Sequence, residues 1–183
     1  MSEDLVIKQC SPTLAGLKTG NLFSCSVSSK EEMIQKARML NKQLSSKGLR
    51  ILPLRYENAR ALVYVYRPAK LRHDFLDCDV RKLLEGYGYT IDNPDACVVQ
   101  LMKRLRYSEQ FPHEIGLFLG YPVEDVVGFI ENRAGGYKLT GYWKVYGDLE
   151  QAKRTFARYK KCTDVYCEQF AKGKSINQLT VAV

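Results

Sequence analysis

The chain has 183 residues, of which 45 % are hydrophobic, 26 % charged and 11 % aromatic, with a formal net charge of +8. That is the make-up of one ordinary folded domain, expected to span 1–183, whose core needs neither a disulfide nor a metal to hold it. No apolar run approaches the ~20 residues of a bilayer span, and the opening MSEDLVIKQC has no export-type apolar stretch, so the expected location is the cytoplasm.

Taken in chain order, Asp4 to Gln9 reads as a short helix stopped before Pro12, and Asn21 to Val27 as a strand. Ser28 and Ser29 offer an N-cap for a helix over Lys30 to Leu44, where Met33, Ile34, Ala37, Leu40 and Leu44 recur at helical spacing before Gly48. Leu49 to Tyr56 and Ala61 to Arg67 form a β-hairpin by their alternation, with Pro53 marking an edge strand or a bulge. Pro68 opens a helical stretch across Lys70 to Tyr87, in two pieces, and Asn93-Pro94 starts another helix running to Tyr107.

Further on, Tyr137 to Tyr146 reads as one strand, and Asp148 caps the longest helix, which ends near Lys172. Leu149, Ala152, Phe156, Tyr159, Thr163, Tyr166 and Phe170 draw a single apolar stripe along it. Strands, helices and a hairpin together predict an α+β fold: an antiparallel sheet of about four strands with helices packed on one face.

One segment differs in composition from the rest. Phe111 to Asp148 holds seven of the thirteen glycines, the only tryptophan (Trp143) and one of two histidines (His113). Its three basic residues (Arg133, Lys138, Lys144) face five acidic ones (Glu114, Glu124, Asp125, Glu131, Asp148), a charge of −2, which leaves +10 for the remainder. Within this island, Ile115 to Ile130 has the spacing of a helix-turn-helix, with Gly120 at the turn and Pro122 opening the second helix. The charge opposes DNA reading: the positions that would meet bases are Glu124 and Asp125, which phosphates repel.

Other constellations resolve to plainer readings. His113-Glu114 begins like a zinc-protease helix, but position 117 is leucine where the second histidine is required. The six cysteines contain no Cys-x-x-Cys pair, so no zinc site is expected and the thiols read as free. Cys10 has no neighbouring cation in sequence to activate it and reads as buried and structural. Gly16-Leu17-Lys18-Thr19-Gly20 lacks the Walker spacing and reads as a turn, with Lys18 as a secondary anion contact. Lys153, Arg154, Arg158, Lys160 and Lys161, with Lys103, Arg104 and Arg106, form basic helix faces open to an acidic protein or a nucleic acid.

The motifs HEIGLFLGYPVEDVVGFIEN and YKLTGYWKVYGD, with CSPTLAGLKTGNLF and RALVYVYRP before them, resemble a bacterial family of small cytoplasmic proteins known as a domain of unknown function. The resemblance runs from about Cys10 into the final helix and implies no activity, ligand or cofactor. The residues therefore leave three readings. The first is a binding module using Tyr137, Tyr142, Trp143 and Tyr146 of the island. The second is a nucleic-acid-associated protein using the basic helices. The third is a small enzyme drawing on His113, Glu114 and Cys10.

Overall fold

A computed structural model describes residues 1–108 and 110–182. The chain is a mixed helix and strand fold. A three-stranded antiparallel sheet is formed by β1 (Gly20–Ser26), β2 (Arg50–Glu57) and β3 (Arg60–Tyr66), in the order β1-β3-β2. A separate two-stranded ribbon pairs β4 (Leu139–Thr140) with β5 (Lys144–Val145). The expected single strand over Tyr137 to Tyr146 is thus a tight hairpin, and it adds no fourth strand to the main sheet. Gly141 makes the reversal: its amide bonds the Trp143 carbonyl at 3.0 Å, and a Cβ there would lie 2.3 Å from the Phe156 ring. The backbone must turn where it rests on that ring.

The helices are α1 (Glu3–Leu14), α2 (Lys30–Leu44), α3 (Pro68–Asp74), α4 (Cys78–Gly86), α5 (Pro94–Tyr107), α6 (Ile115–Phe118), α7 (Val123–Glu131), α8 (Leu149–Ala171) and α9 (Ile176–Leu179). Local capping sets their starts. The side chains of Ser29, Asp77, Asn93 and Asp148 each accept a hydrogen bond from backbone N–H groups of the first turn.

Helix α1 departs from the sequence expectation by running through Pro12. A proline's φ suits a helix; what it removes is one N–H and some room. Pro12 sits in the last turn, and its missing donor would have served the carbonyl of Lys8, an exposed residue that water can reach. The Pro12 carbonyl then accepts from the amides of Leu17 and Lys18, which folds the exit turn back on the helix.

Helices cover both faces of the sheet, where one covered face was expected. Ala61, Val63 and Val65 of β3 pack with Phe23, Cys25 and Ile51 against α1 and α2. Tyr64 and Tyr66, from the opposite side of the same strand, pack with Leu54 against α3, α5 and α6. The register shift between Pro53 and Arg55 is a bulge at Leu54. It turns Leu52 and Leu54 to the second core, while Ile51 and Tyr56 face the first. Helix α8 lies along α1 and adds Tyr166, Cys167 and Phe170 to the first core. No described helix is long and apolar enough to cross a membrane.

Where β3 ends, Arg67 is only 1 % exposed and has no carboxylate partner among the described residues. Its guanidinium donates instead to four carbonyls: Thr13 at 2.6 Å, Leu14 at 2.6 Å, Lys47 at 3.1 Å and Val181 at 2.8 Å. Two of these belong to the C-terminal turn of α1, where the helix dipole favours a cation. Pro68 restricts Arg67 to an extended backbone, which aims the side chain. Burial lowers its pKa, as desolvation of a cation must.

Replacing Arg67 with methionine keeps the bulk but takes a charged donor from four carbonyls, of which only Thr13 and Leu14 keep another, from the Gly16 and Val181 amides, so we expect a loss of about 3 kcal/mol in urea unfolding. Arg67→Lys should recover little of it, because an ammonium lacks the planar fork that reaches three segments.

Candidate functional site

A cavity of about 320 Å³ opens between α6–α7 and the β4–β5 hairpin, and every residue lining it lies between Phe111 and Lys144. The compositional island is therefore also a spatial unit. The walls are mainly apolar, formed by Ile115, Leu119, Val126 and Phe129 on one side and Trp143 on the other.

Asp125 holds the two walls together. It is 4 % exposed, and its carboxylate accepts from Trp143 Nε1 at 2.6 Å and from the amides of Tyr146 and Gly147 at 2.7 Å each. A buried carboxylate is stable only when its lone pairs are occupied, and here three donors from the hairpin occupy them. Trp143 packs at a tilt on Tyr121, with ring centres 4.9 Å apart, and makes a T-shaped contact with Phe156 at 4.6 Å. It forms a small third core with Val145, Ala152 and Tyr159.

Tyr121 directly follows Gly120, whose φ of +73° suits glycine and whose missing Cβ leaves room for the Thr19 side chain. Burial raises the Tyr121 phenol to about 12. One short turn thus separates two helices whose packing builds the cavity wall, although α6 is itself a single turn.

The residues singled out from sequence fall in different places. His113 lies at the cavity, exposed, between the rings of Phe111 at 5.6 Å and Phe129 at 5.0 Å. Glu114 is buried and turned the other way, accepting from the Tyr89 hydroxyl at 2.8 Å and pairing with Arg104 at 3.4 Å. Burial, then the Glu114 charge, raise the Tyr89 phenol and keep it a donor. Cys10 is fully buried in the α1–α2 core, where desolvation raises its thiol pKa far above the ordinary value. The structure does not bring His113, Glu114 and Cys10 together. Among the described residues, no group of three or more His, Cys, Asp or Glu is placed to hold a metal ion.

Of the aromatic candidates, Trp143 lines the cavity. Tyr137 is 44 % exposed, with the Lys144 ammonium 4.5 Å from its ring centre. Tyr142 packs outside the cavity on Phe156 and Tyr159, and Tyr146 packs against Gly128 of α7. Composition does not single out Tyr121 or Phe129, and it marks Lys144 and Asp125 only as charges of the island, Asp125 also as one that phosphates repel. A signal for part of this set was present, since Asp125 and Phe129 stand four apart and so share one face of α7.

A family model matches residues 6–180 of the chain. This chain belongs to the DUF3793 family, described as a protein of unknown function. Comparison with curated proteins and with solved structures finds no match. For this DUF3793 member, the functional reading therefore rests on the geometry of its own residues.

Lys18 is placed unlike a surface anion contact. It is 2 % exposed, donates from Nζ to the Gly20 carbonyl, and lies 4.9 Å from the centre of the Tyr121 ring. Burial lowers its pKa to about 7, with Cys10 acting the other way.

Asp125→Asn places an amide N–H₂ among hydrogen-bond donors, so about 1–3 kcal/mol of stability should be lost. The emission of the single tryptophan should also shift to the red as its indole loosens. The Lys18 effect is read from pH. Between about pH 7 and an ordinary lysine value near ~10.4, the unfolded chain binds the Lys18 proton more tightly than the folded chain. Stability should therefore rise with pH from 7 to ~8.5, below the range of ordinary thiols. In urea unfolding across that window, wild type should gain on Lys18→Met; parallel lines would show that the buried amine keeps its charge.

Proposed function

We propose that this chain is a cytoplasmic bacterial binding module whose island cavity takes up a small, mainly apolar ligand. The observation that carries this reading is that the residues of the island, and no others, line the cavity. Its volume lies at the lower end of the range for small-molecule sites, about 300–1,000 Å³, and its lining has their usual character of apolar walls with few polar groups. Those groups include Thr140, His113 and the Lys144 ammonium, which also donates to the Ala134 carbonyl at 2.7 Å. They suit hydrogen-bond acceptors at one end of an otherwise apolar molecule. Asp125 is already occupied by three donors, which supports recognition over acid–base chemistry at this site. Six free thiols, three of them buried, support a reducing compartment.

The reading makes the helix-turn-helix likeness of Ile115 to Ile130 a matter of shape, since Asp125 is spent on the hairpin. A basic-face reading for an acidic protein or nucleic acid is weakened on α8, where Lys153 pairs with Glu150 and Lys160 with Asp164.

The test uses the apolar anionic dye 8-anilinonaphthalene-1-sulfonate, followed by its own emission and by quenching of Trp143. Saturable binding of one dye per chain is expected, with Phe129→Ala and His113→Ala each weakening it about tenfold, or ~1.4 kcal/mol, at unchanged melting temperature. Dye binding that is equal in wild type and both variants would overturn the reading.

A further inference from the structure

A second cleft, of about 720 Å³, adjoins the first at Tyr121, which lines both cavities. Its lining is more polar and includes Lys18, Thr19, Lys70, His73, Asp74 and Tyr159. The fold buries two basic side chains almost completely, Lys18 and Arg67, and neither has a carboxylate within ion-pair distance among the described residues. Their situations differ. Arg67 spends its donors on four backbone carbonyls and so is anchored as a cation. Lys18 has three possible donors and one carbonyl, that of Gly20, besides the face of Tyr121. A structural ammonium would be expected to gather more acceptors than this, since burying an under-partnered charge is costly. A neutral amine needs fewer, and it keeps a lone pair for bonding.

We propose that Lys18 is an amine nucleophile in the wall of this cleft and captures a small carbonyl compound, an aldehyde or ketone, as an imine. The amine nitrogen bonds the carbonyl carbon, its proton passes to the oxygen, and the carbinolamine then loses water to form the C=N bond. One carbonyl group and one amine become one imine and one water, with no oxidant or reductant required. Desolvation is a recognised way to make a lysine nucleophilic near neutral pH, and burial acts in that direction here.

The groups that set the charge around Lys18 come from several elements. Cys10 of α1 is held as a thiol, and the Tyr121 and Tyr159 phenols are both raised to about 12, all by burial. Asp74, at the end of α3, is raised by burial and hydrogen-bonded by Thr19, the residue after Lys18. His73 and Lys70 of α3 and Glu124 of α7 also border the cleft.

The experiment is reductive trapping of the native full chain with acetaldehyde and cyanoborohydride at pH 7, read residue by residue by peptide mass mapping. An ordinary lysine carries free amine only to about one part in a few thousand at that pH. Lys18 should therefore be ethylated at least ~10-fold faster than exposed lysines such as Lys153 and Lys161, even with restricted access. The advantage should shrink toward pH 10 as the exposed amines lose their protons. It should not change with urea below the unfolding transition. Labelling of Lys18 no faster than the surface lysines, or labelling that appears only as urea opens the chain, would overturn the proposal.

Discussion

Strand β3 has no polar face, and the rest of the molecule is arranged around that constraint. Alternate side chains of a strand point to opposite sides, so Ala61, Val63 and Val65 demand one apolar cover and Leu62, Tyr64 and Tyr66 another. Helices α1 and α2 supply the first and α3 to α6 the second. An antiparallel sheet with one wet face would have left half of these side chains in water. The two-sided cover also seals the exit of β3, which is why the residue following it, Arg67, must be satisfied entirely by backbone carbonyls.

The island is attached to this frame by a different kind of bond. Its apolar contacts alone do not define how the β4–β5 hairpin sits on α7, since two residue pairs make a weak ribbon. The Asp125 carboxylate supplies the direction, tying the Trp143 indole and two consecutive amides to one point on the helix. Trp143 then packs on Tyr121, and Tyr121 borders both the apolar cavity of the island and the polar cleft that contains Lys18. The two cavities differ in chemistry because only one of them reaches the charged ends of the frame at α3.

Much of the local structure was legible in the sequence. Helices α2, α5 and α8 start at Ser29, Asn93 and Asp148, where a short polar side chain bonds the helix's own first turn. The β2–β3 hairpin and the bulge near Pro53 follow from alternation and a missing N–H. What failed were inferences needing a distant partner. Pro12 ends a helix only where the lost hydrogen bond matters, and beside exposed Lys8 it does not. Tyr137 to Tyr146 alternates like a strand, yet Gly141 must turn because Phe156, fifteen residues away in the chain, fills the space above it. The apolar character of both faces of β3 is visible in its residues, but a hairpin by itself does not say which distant elements cover each face.

The sequence by itself determined where the helices begin, which strands pair by a short turn, and that one glycine- and aromatic-rich segment stands apart. These are properties set by neighbours within a few residues, where chain connectivity does the aligning. Only the tertiary structure decided that this segment encloses a cavity, that Glu114 turns away from His113, and that Lys18 is buried beside a second cleft. Each depends on groups far apart in the chain competing for space and for hydrogen-bond partners. A lysine in a Gly-Leu-Lys-Thr-Gly turn has the same local sequence whether its amine meets water or the face of Tyr121, and the difference in desolvation is what changes its chemistry.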